Sequence, residues 1–403
     1  MQVPPFSLSQ QLADLGPELD EAVLRVLRSG QYIGGSEIKS FETAFAATVG
    51  STHAVGCNSG TDALILALRA LGIGAGDEVI TASFSFFATA EAISAVGAKP
   101  VFVDVDPLTY LIDLERIEAA ITSASKAVMP VHLFGRPVDM TRLMAIAARH
   151  KLRVVEDCAQ ATGASWNGRP VGSWGDIGCF SFFPTKNLGG AGDAGAVTCN
   201  DSGLAQHMRE LAVHGMPRRY LHTELGYNSR LDALQAAVLN VKLPRLNQWV
   251  ERRRTIAQRY REALEDLPGL LLPDASAGHG HGWNQFVVRV TVCPNDASSS
   301  ATHSPCEFGL PSSHCRDWLK QNLQEQGVNT IIYYPIPIHR QPAYAEQHCS
   351  SCLPVTEQLC SEVLSLPIFP ELTNEQQEQV ISVLRSLLIQ NAPLNSQTCS
   401  VAA

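Results

Sequence analysis

Two residues, an aspartate and a lysine, open the chemical reading. Asp157 closes the run Arg153-Val-Val-Glu-Asp157, a short apolar segment with the look of a buried strand. Its carboxylate therefore falls at a strand's C-terminal end. Alone, such an acid reads as a helix cap or a surface pair. Lys186 follows the strand-like run Ile177–Phe182 after the turn Phe183-Pro-Thr185, with Gly189, Gly190, Gly192 and Gly195 close behind. Alone, it reads as a solvated lysine. Together they lie at the ends of two strands of one expected sheet, where open parallel sheets bind ligands. An amine can condense with an aldehyde, and a carboxylate can hold a ring nitrogen protonated. A pyridoxal-5′-phosphate (PLP) site requires both.

A phosphate would need its own seat. Ser59-Gly60-Thr61 precedes a helix with Leu64, Leu68 and Leu71 on one face. The first backbone N–H groups of that helix, and its dipole, would face an anion. The same triplet is also a good plain N-cap. Ser181, five residues before Lys186, could reach the same phosphate. Phe84, Phe86 and Phe87 follow the strand-like Val79–Ala82, so one ring could stack on a flat cofactor while at least one of the others packs in the core.

The elements that must position these residues alternate in type. Helices are expected over Pro17–Arg28, from Ser36 to Gly50, over Met140–His150, and from Ser229 or Asp232 to a kink at Pro244. Strands are expected at Val79–Ala82, Pro100–Val105, Ala127–Val131, Arg153–Glu156, Ile177–Phe182 and Gly195–Cys199. Short, non-alternating apolar runs separated by helices predict an α/β fold with a mainly parallel sheet covered on both faces. The character changes near residue 250. The chain is divided into a large domain over 1–249, a smaller α+β C-terminal domain over 250–390 and a disordered tail over 391–403. In the smaller domain Phe286–Val292 reads as a strand, and Asp317–Glu325 and Asn374–Leu388 as helices. Cys293–His314 reads as a flexible surface loop.

Composition narrows the function. A net charge of −9 argues against a nucleic-acid binder. Apolar runs are too short for a membrane span, and Met1–Gln10 lacks a signal pattern, so a cytoplasmic location is expected. Of 11 cysteines, Cys57, Cys158, Cys179 and Cys199 read as small buried hydrophobes. Cys349 and Cys352, with His348 and Cys360 nearby, form one CxxC; a zinc site wants two, so no metal is expected. Gly72-Ile-Gly-Ala-Gly76 follows a helix and precedes a strand, the reverse of a dinucleotide loop.

The chain resembles the DegT-type nucleotide-sugar aminotransferases, PLP enzymes of fold type I, over about residues 5–390. The likeness rests on Ser59-Gly-Thr-Asp-Ala-Leu64, Gly76-Asp-Glu-Val-Ile80, Phe102-Val-Asp-Val-Asp106, Glu156-Asp-Cys-Ala-Gln160, Ser181-Phe-Phe-Pro-Thr-Lys186, Gly192-Asp-Ala-Gly-Ala196, Gly226-Tyr-Asn-Ser-Arg230 and Tyr334-Pro-Ile-Pro-Ile-His339, in that order. It implies that Lys186 is the Schiff-base lysine and Asp157 the pyridinium partner. It also implies that Gln160 lies on the ring-oxygen side and that Gly60, Thr61 and Ser181 hold the phosphate. Phe86 matches the stacking ring, with Phe84 as second choice. Asn228 matches a residue given to the phosphate by the partner subunit, implying a homodimer with shared active sites. Tyr334 and His339 match a substrate-side loop. The implied reaction moves an amino group, with glutamate as donor, onto a keto-sugar nucleotide. His214-Gly215 and Gly226–Arg230 lean toward C3 of a UDP- or dTDP-linked sugar. Relatives that dehydrate sugars carry histidine in place of the lysine, so Lys186 favours transamination. Two alternatives stand beside this reading: a PLP-binding regulatory protein without transferase activity, and a PLP enzyme of small amino acids.

Overall fold

The computed structural model describes residues 1–274, 279–292, 314–344 and 352–390. Residues 293–313, Cys349 with its neighbour His348, and the tail from residue 391 lie outside them, so the expectations for the loop, the CxxC pair and the tail do too.

The strands are β1 His53–Cys57, β2 Glu78–Ala82, β3 Lys99–Val103, β4 Ser125–Met129, β5 Arg153–Asp157, β6 Ser165–Trp166, β7 Arg169–Pro170, β8 Ile177–Ser181 and β9 Gly195–Cys199. Seven of them form one sheet in the order β1-β9-β8-β5-β4-β2-β3. Neighbours from β8 across to β3 pair in parallel. Only β9 runs the other way, antiparallel to both β8 and β1. β1, β2, β5 and β8 therefore point in one direction, and their C-terminal ends share one edge. The expected α/β class with a mainly parallel sheet is what the chain adopts.

Both faces of this sheet are covered, as its strand composition requires. The helices are α1 Ser9–Ser29, α2 Ser36–Val49, α3 Gly60–Ala70, α4 Ala88–Ala95, α5 Leu114–Ile117, α6 Met140–His150, α7 Ser202–Leu211, α8 Ala233–Lys242 and α9 Leu246–Leu264. Successive strand residues point to opposite faces. Val79, Ala127, Val155 and Val197 pack with Leu64, Ile93 and Met208 of α3, α4 and α7. Their neighbours Ile80, Val128 and Val154 pack with Leu143 and Ile146 of α6. Further along that second face, Phe180 and Ala196 meet Phe41 and Phe45 of α2 and Leu239 of α8. A strand exposed on one side would have alternated apolar with polar.

A second core lies around a smaller antiparallel sheet of β10 Leu270–Leu271, β11 Phe286–Val290 and β12 Val363–Leu366, ordered β10-β11-β12. Side chains of α9, of α10 His314–Glu325 and of the helix Asn374–Gln390 cover it. Val3, from the start of the chain, joins this core and bridges to Val328. Residue 250 falls inside α9.

One buried acid ties together parts of the chain that are far apart in sequence. Asp104, just past β3, accepts from the backbone N–H groups of Val355 (3.1 Å) and Thr356 (2.8 Å) and from the Thr356 hydroxyl (2.8 Å). It thereby caps the helix Pro354–Glu362 from across the molecule. Asp104→Ala would leave those donors buried and unpaired. It should cost about 3 kcal/mol, read as an earlier denaturant midpoint.

Candidate active site

The shared strand edge gathers the chemistry. Asp157, at the end of β5, is buried. Its Oδ1 accepts from the Ala159 N–H at 3.1 Å and its Oδ2 from the Thr89 hydroxyl at 2.9 Å. Thr89 is braced in turn by Ser85 at 2.8 Å. His132 pairs with Glu156, and Lys186 and His132 reach Asp157 only through longer-range electrostatics. Burial pushes the Asp157 carboxyl above its ordinary pKa, against the pull of those hydrogen bonds and of the Lys186 charge. The site thus keeps a buried acid whose local partners are neutral, a place that suits a cationic ligand atom.

Lys186 sits in a turn beyond β8 that the surrounding chain holds rigidly. Its own N–H donates to the Phe183 carbonyl at 2.9 Å, and the Gly190 N–H returns to the Phe182 carbonyl at 2.7 Å. Gln235 of α8 accepts from Ala191 N–H at 2.7 Å, and the buried Lys242 ammonium donates to the Gly189 carbonyl at 2.9 Å. Next door, Asn187 donates to the carbonyls of Thr162 (3.1 Å) and Gly282 (2.7 Å) and accepts from Asn284 (3.1 Å). Gly189 is forced: a Cβ there would run into the Pro184 carbonyl.

The Lys186 amine is tuned by this setting. Burial pulls it from 10.5 down to about 8, and the charge of Asp157 partly offsets that drop. Acylation of Lys186 in the cofactor-free chain, followed by peptide mass, should therefore rise with a midpoint near pH 8. Surface lysines should follow near pH ~10.4. Asp157→Asn removes the charge that raises the amine, so its midpoint should move lower still. A midpoint unchanged from that of surface lysines would contradict the burial.

Three strand ends meet at the start of α3, where the phosphate ligands were expected. Ser59 caps α3 through the Asp62 N–H at 3.1 Å, leaving the first N–H groups, those of Gly60 and Thr61, without intrahelical partners. Gly60 lies against Ser181, where an added Cβ would come within 2.7 Å of the serine Cβ. Gly195, at the start of β9, lets the Ser59 carbonyl approach, since a Cβ there would collide with it. The structure thus brings Gly60 against Ser181, with Thr61 next to Gly60 in the first turn of α3.

The phenylalanines are sorted by packing. Phe84 is 1% exposed and meets Phe134 and Tyr334 edge-on. Phe86 is 59% exposed and offers a ring to a ligand. Gln160 lies between Phe134 and Tyr334, accepting from the Phe134 N–H at 2.7 Å and donating to the Tyr334 hydroxyl at 2.8 Å. Asn228 is exposed, and its carbonyl accepts from Asn58, the residue before Ser59, at 2.9 Å.

His339 departs from expectation. Its side chain is fully buried. One ring nitrogen is 2.7 Å from the Ser83 hydroxyl and the other 3.0 Å from Glu357. With both nitrogens used inside the protein, it anchors the Tyr334–His339 segment to the end of β2 and faces no substrate. Glu156 is likewise structural. Its carboxylate takes the N–H groups of Gly172, Trp174 and Gly175, each at 2.8 Å, and the Nε2–H of His132 at 3.1 Å. That tautomer follows because Val138 N–H occupies the other His132 nitrogen. Glu156, His132 and Cys158 cluster closely, but the carboxylate oxygens are already engaged, which leaves no ligand set for a metal there. Thr89, Ser85, Gln235 and Lys242 escaped the sequence reading. The Ser85–Thr89 spacing of four residues was the one local signal for the first pair.

Comparison with known proteins decides the family. Residues 13–385 match the DegT/DnrJ/EryC1/StrS aminotransferase family. The chain belongs to this family. It is 46% identical over 386 residues to UDP-N-acetyl-3-dehydro-alpha-D-glucosamine 3-aminotransferase of Acidithiobacillus ferrooxidans, covering 96% of this chain and 98% of that one. Its fold matches DesV of S. venezuelae, solved in complex with a ketimine intermediate, with a TM-score of 0.88 and 42% identity over 96% of this chain and 98% of that one. It also matches NtdA of Bacillus subtilis, solved with bound cofactor PMP, with a TM-score of 0.86 and 31% identity over 96% of this chain and 86% of that one. The protein is a PLP-dependent aminotransferase for nucleotide sugars. The residues present fit the cofactor: a buried acid with only neutral close partners, an amine of depressed pKa and an anion seat at a helix start. No described helix is long and apolar enough to cross a membrane.

Proposed function

We propose that this chain takes an amino group from glutamate and delivers it to C3 of a UDP- or dTDP-linked 3-keto sugar, as a homodimer with shared active sites. The buried Asp157 near Lys186 carries the reading of the site. The 3-aminotransferase name of the Acidithiobacillus relative supports the choice of carbon. Bound PLP supplies an electron sink for the pair released when a C–H bond beside nitrogen ionises. Lys186 holds the cofactor and, once released, takes and returns the proton of that carbon. A pKa of about 8 leaves part of the amine neutral at physiological pH, as a general base needs. Asp157 faces the ring nitrogen and keeps it protonated. Gly60, Thr61 and Ser181 hold the phosphate, Phe86 covers one face of the ring, and Gln160 lies on its oxygen side.

The loop between Gly215 and Gly226 supports the dimer. The Thr223 N–H closes it onto the Gly215 carbonyl at 2.9 Å. It carries Tyr220 at 80% and Leu225 at 86% exposure, beside Asn228. Apolar side chains this exposed at a site's rim suit a subunit contact. The partner's copy of this loop would then bring its asparagine to the phosphate. The test is a panel of keto-sugar nucleotides incubated with glutamate and PLP, products read by mass and NMR, with sedimentation for the assembly. Amination at C4 across the panel, or no amination, would overturn the assignment of substrate.

A further inference from the structure

We infer that Lys242 and Gln235, on one face of α8, position the cofactor lysine by holding the turn that carries it. The inference rests on Lys186 holding PLP as proposed above. Lys242 is 1% exposed, which is unusual for a lysine. Its ammonium donates to the Gly189 carbonyl at 2.9 Å, the one hydrogen bond it shows among the described residues. Among those residues no carboxylate pairs with it, and Glu371 acts on it only at longer range. Burial lowers its pKa, so keeping a charge in that place costs stability. An apolar side chain of similar length would fill the same space without that cost. What the amine adds is a strong donor aimed at a carbonyl three residues past Lys186.

The turn's own bonds give it shape, and its neighbours fix where it lies. Gly190 bonds back to Phe182 and Lys186 to Phe183, so the chain doubles on itself. On one side Asn187 ties it to the carbonyls of Thr162 and Gly282. On the other side stands α8. Gln235 and Lys242 are seven residues apart, two helical turns, and so share a face. Gln235 Oε1 accepts from the Ala191 N–H at 2.7 Å, and a side chain added at Gly190 would press on that same oxygen. Without Lys242 the carbonyl of a buried glycine loses its donor, and the backbone must move to find another. The pKa of the Lys186 amine is set by burial and by Asp157, so α8 contributes its position. Misplacement of a reacting group by about 1 Å can cost about 10²-fold in rate. Lys242 and Gln235 are therefore positioning residues that act through Lys186.

The experiment is a cycle of wild type, Lys242→Met, Lys186→Ala and the double variant, read in turnover and in the dissociation constant of PLP. Lys242→Met should lower kcat and kcat/KM together, about 10²-fold. It should also hold PLP about tenfold less tightly than wild type, because the covalent link depends on where the amine lies. Beside Lys186→Ala the same substitution should change PLP binding less than about twofold, since the groups proposed to hold phosphate and ring nitrogen stand on other elements. Should Lys242→Met fail to fold, Gln235→Met removes the other α8 contact at similar volume, and the same cycle applies. Unchanged turnover would overturn the inference. So would an equal loss of PLP affinity with and without the lysine, which would make α8 a support of the fold alone. Borohydride trapping of PLP on a residue other than Lys186 in wild type would instead remove the proposed role of that lysine beneath it.

Discussion

Lys186→Ala abolishes turnover while PLP still binds. The groups proposed to hold the phosphate and ring nitrogen, Gly60, Thr61, Ser181 and Asp157, lie on the start of α3 and on the ends of β8 and β5. None depends on the lysine side chain for its position. The turn that carries residue 186 is fixed by backbone bonds and by Gln235, Lys242 and Asn187. Truncation at Cβ therefore leaves the fold and the cofactor seat in place. What disappears is the covalent tether and the proton-carrying amine. Loss of the general base alone should lower the rate about 10²–10⁴-fold. Two readings check it together: product formation from glutamate and a keto-sugar nucleotide, and borohydride reduction followed by peptide mass. Wild type should trap PLP on Lys186 and the variant on no residue. Steady-state turnover equal to wild type would remove Lys186 from the chemistry.

The sheet was legible in the chain because burial on both faces leaves a local mark. Runs such as Val79–Ala82 and Ile177–Phe182 are apolar without alternation, and they became β2 and β8 within a residue at either end. The direction of β9 was not legible, since Gly195–Cys199 would look the same in either direction. β1 was passed over: His53–Cys57 carries only one large apolar residue, Val55, and its pairing with β9 is a contact far along the chain. Helix α1 begins at Ser9, eight residues before Pro17, where the helix was expected to start. The missing N–H of a proline interrupts one helical bond, but packing of Leu15, Ala22 and Val26 on α8 holds the helix continuous.

Long-range partners explain the remaining differences. The helix Pro354–Glu362 was not expected, because its cap, Asp104, is supplied from another strand end. His339 was assigned to the substrate side because it shares a motif with Tyr334. Its true partners, Ser83 and Glu357, come from other elements, and no local pattern announces them. Asp157 and Lys186 were legible as a pair only because each ended a recognisable strand. Their tuning was not, for it comes from Thr89, Ser85 and the depth of the cleft.

Asp157→Asn separates the charge of that acid from its shape. Asparagine can keep its oxygen on the Ala159 N–H. Its NH2 can donate to the Thr89 oxygen, because Thr89 and Ser85 can exchange donor and acceptor roles. Each local hydrogen bond thus survives, and the substituted chain should fold. It should even gain stability without cofactor. The folded-state carboxyl has a raised pKa, so near neutral pH the charged form is disfavoured in the native state relative to the unfolded chain. A neutral amide removes that penalty, and the cofactor-free melting temperature should stay level or rise. Catalysis should move the opposite way. Without the negative charge the ring nitrogen is no longer held protonated, and the electron sink weakens during the proton transfer that Lys186 performs. Removal of a preorganised electrostatic partner commonly lowers rates about 10²–10³-fold, and that is the loss expected in kcat. A variant that melts lower and turns over normally would mean that Asp157 serves the fold alone. The opposite pairing, higher melting with slow turnover, is what an acid kept in place for its charge must show.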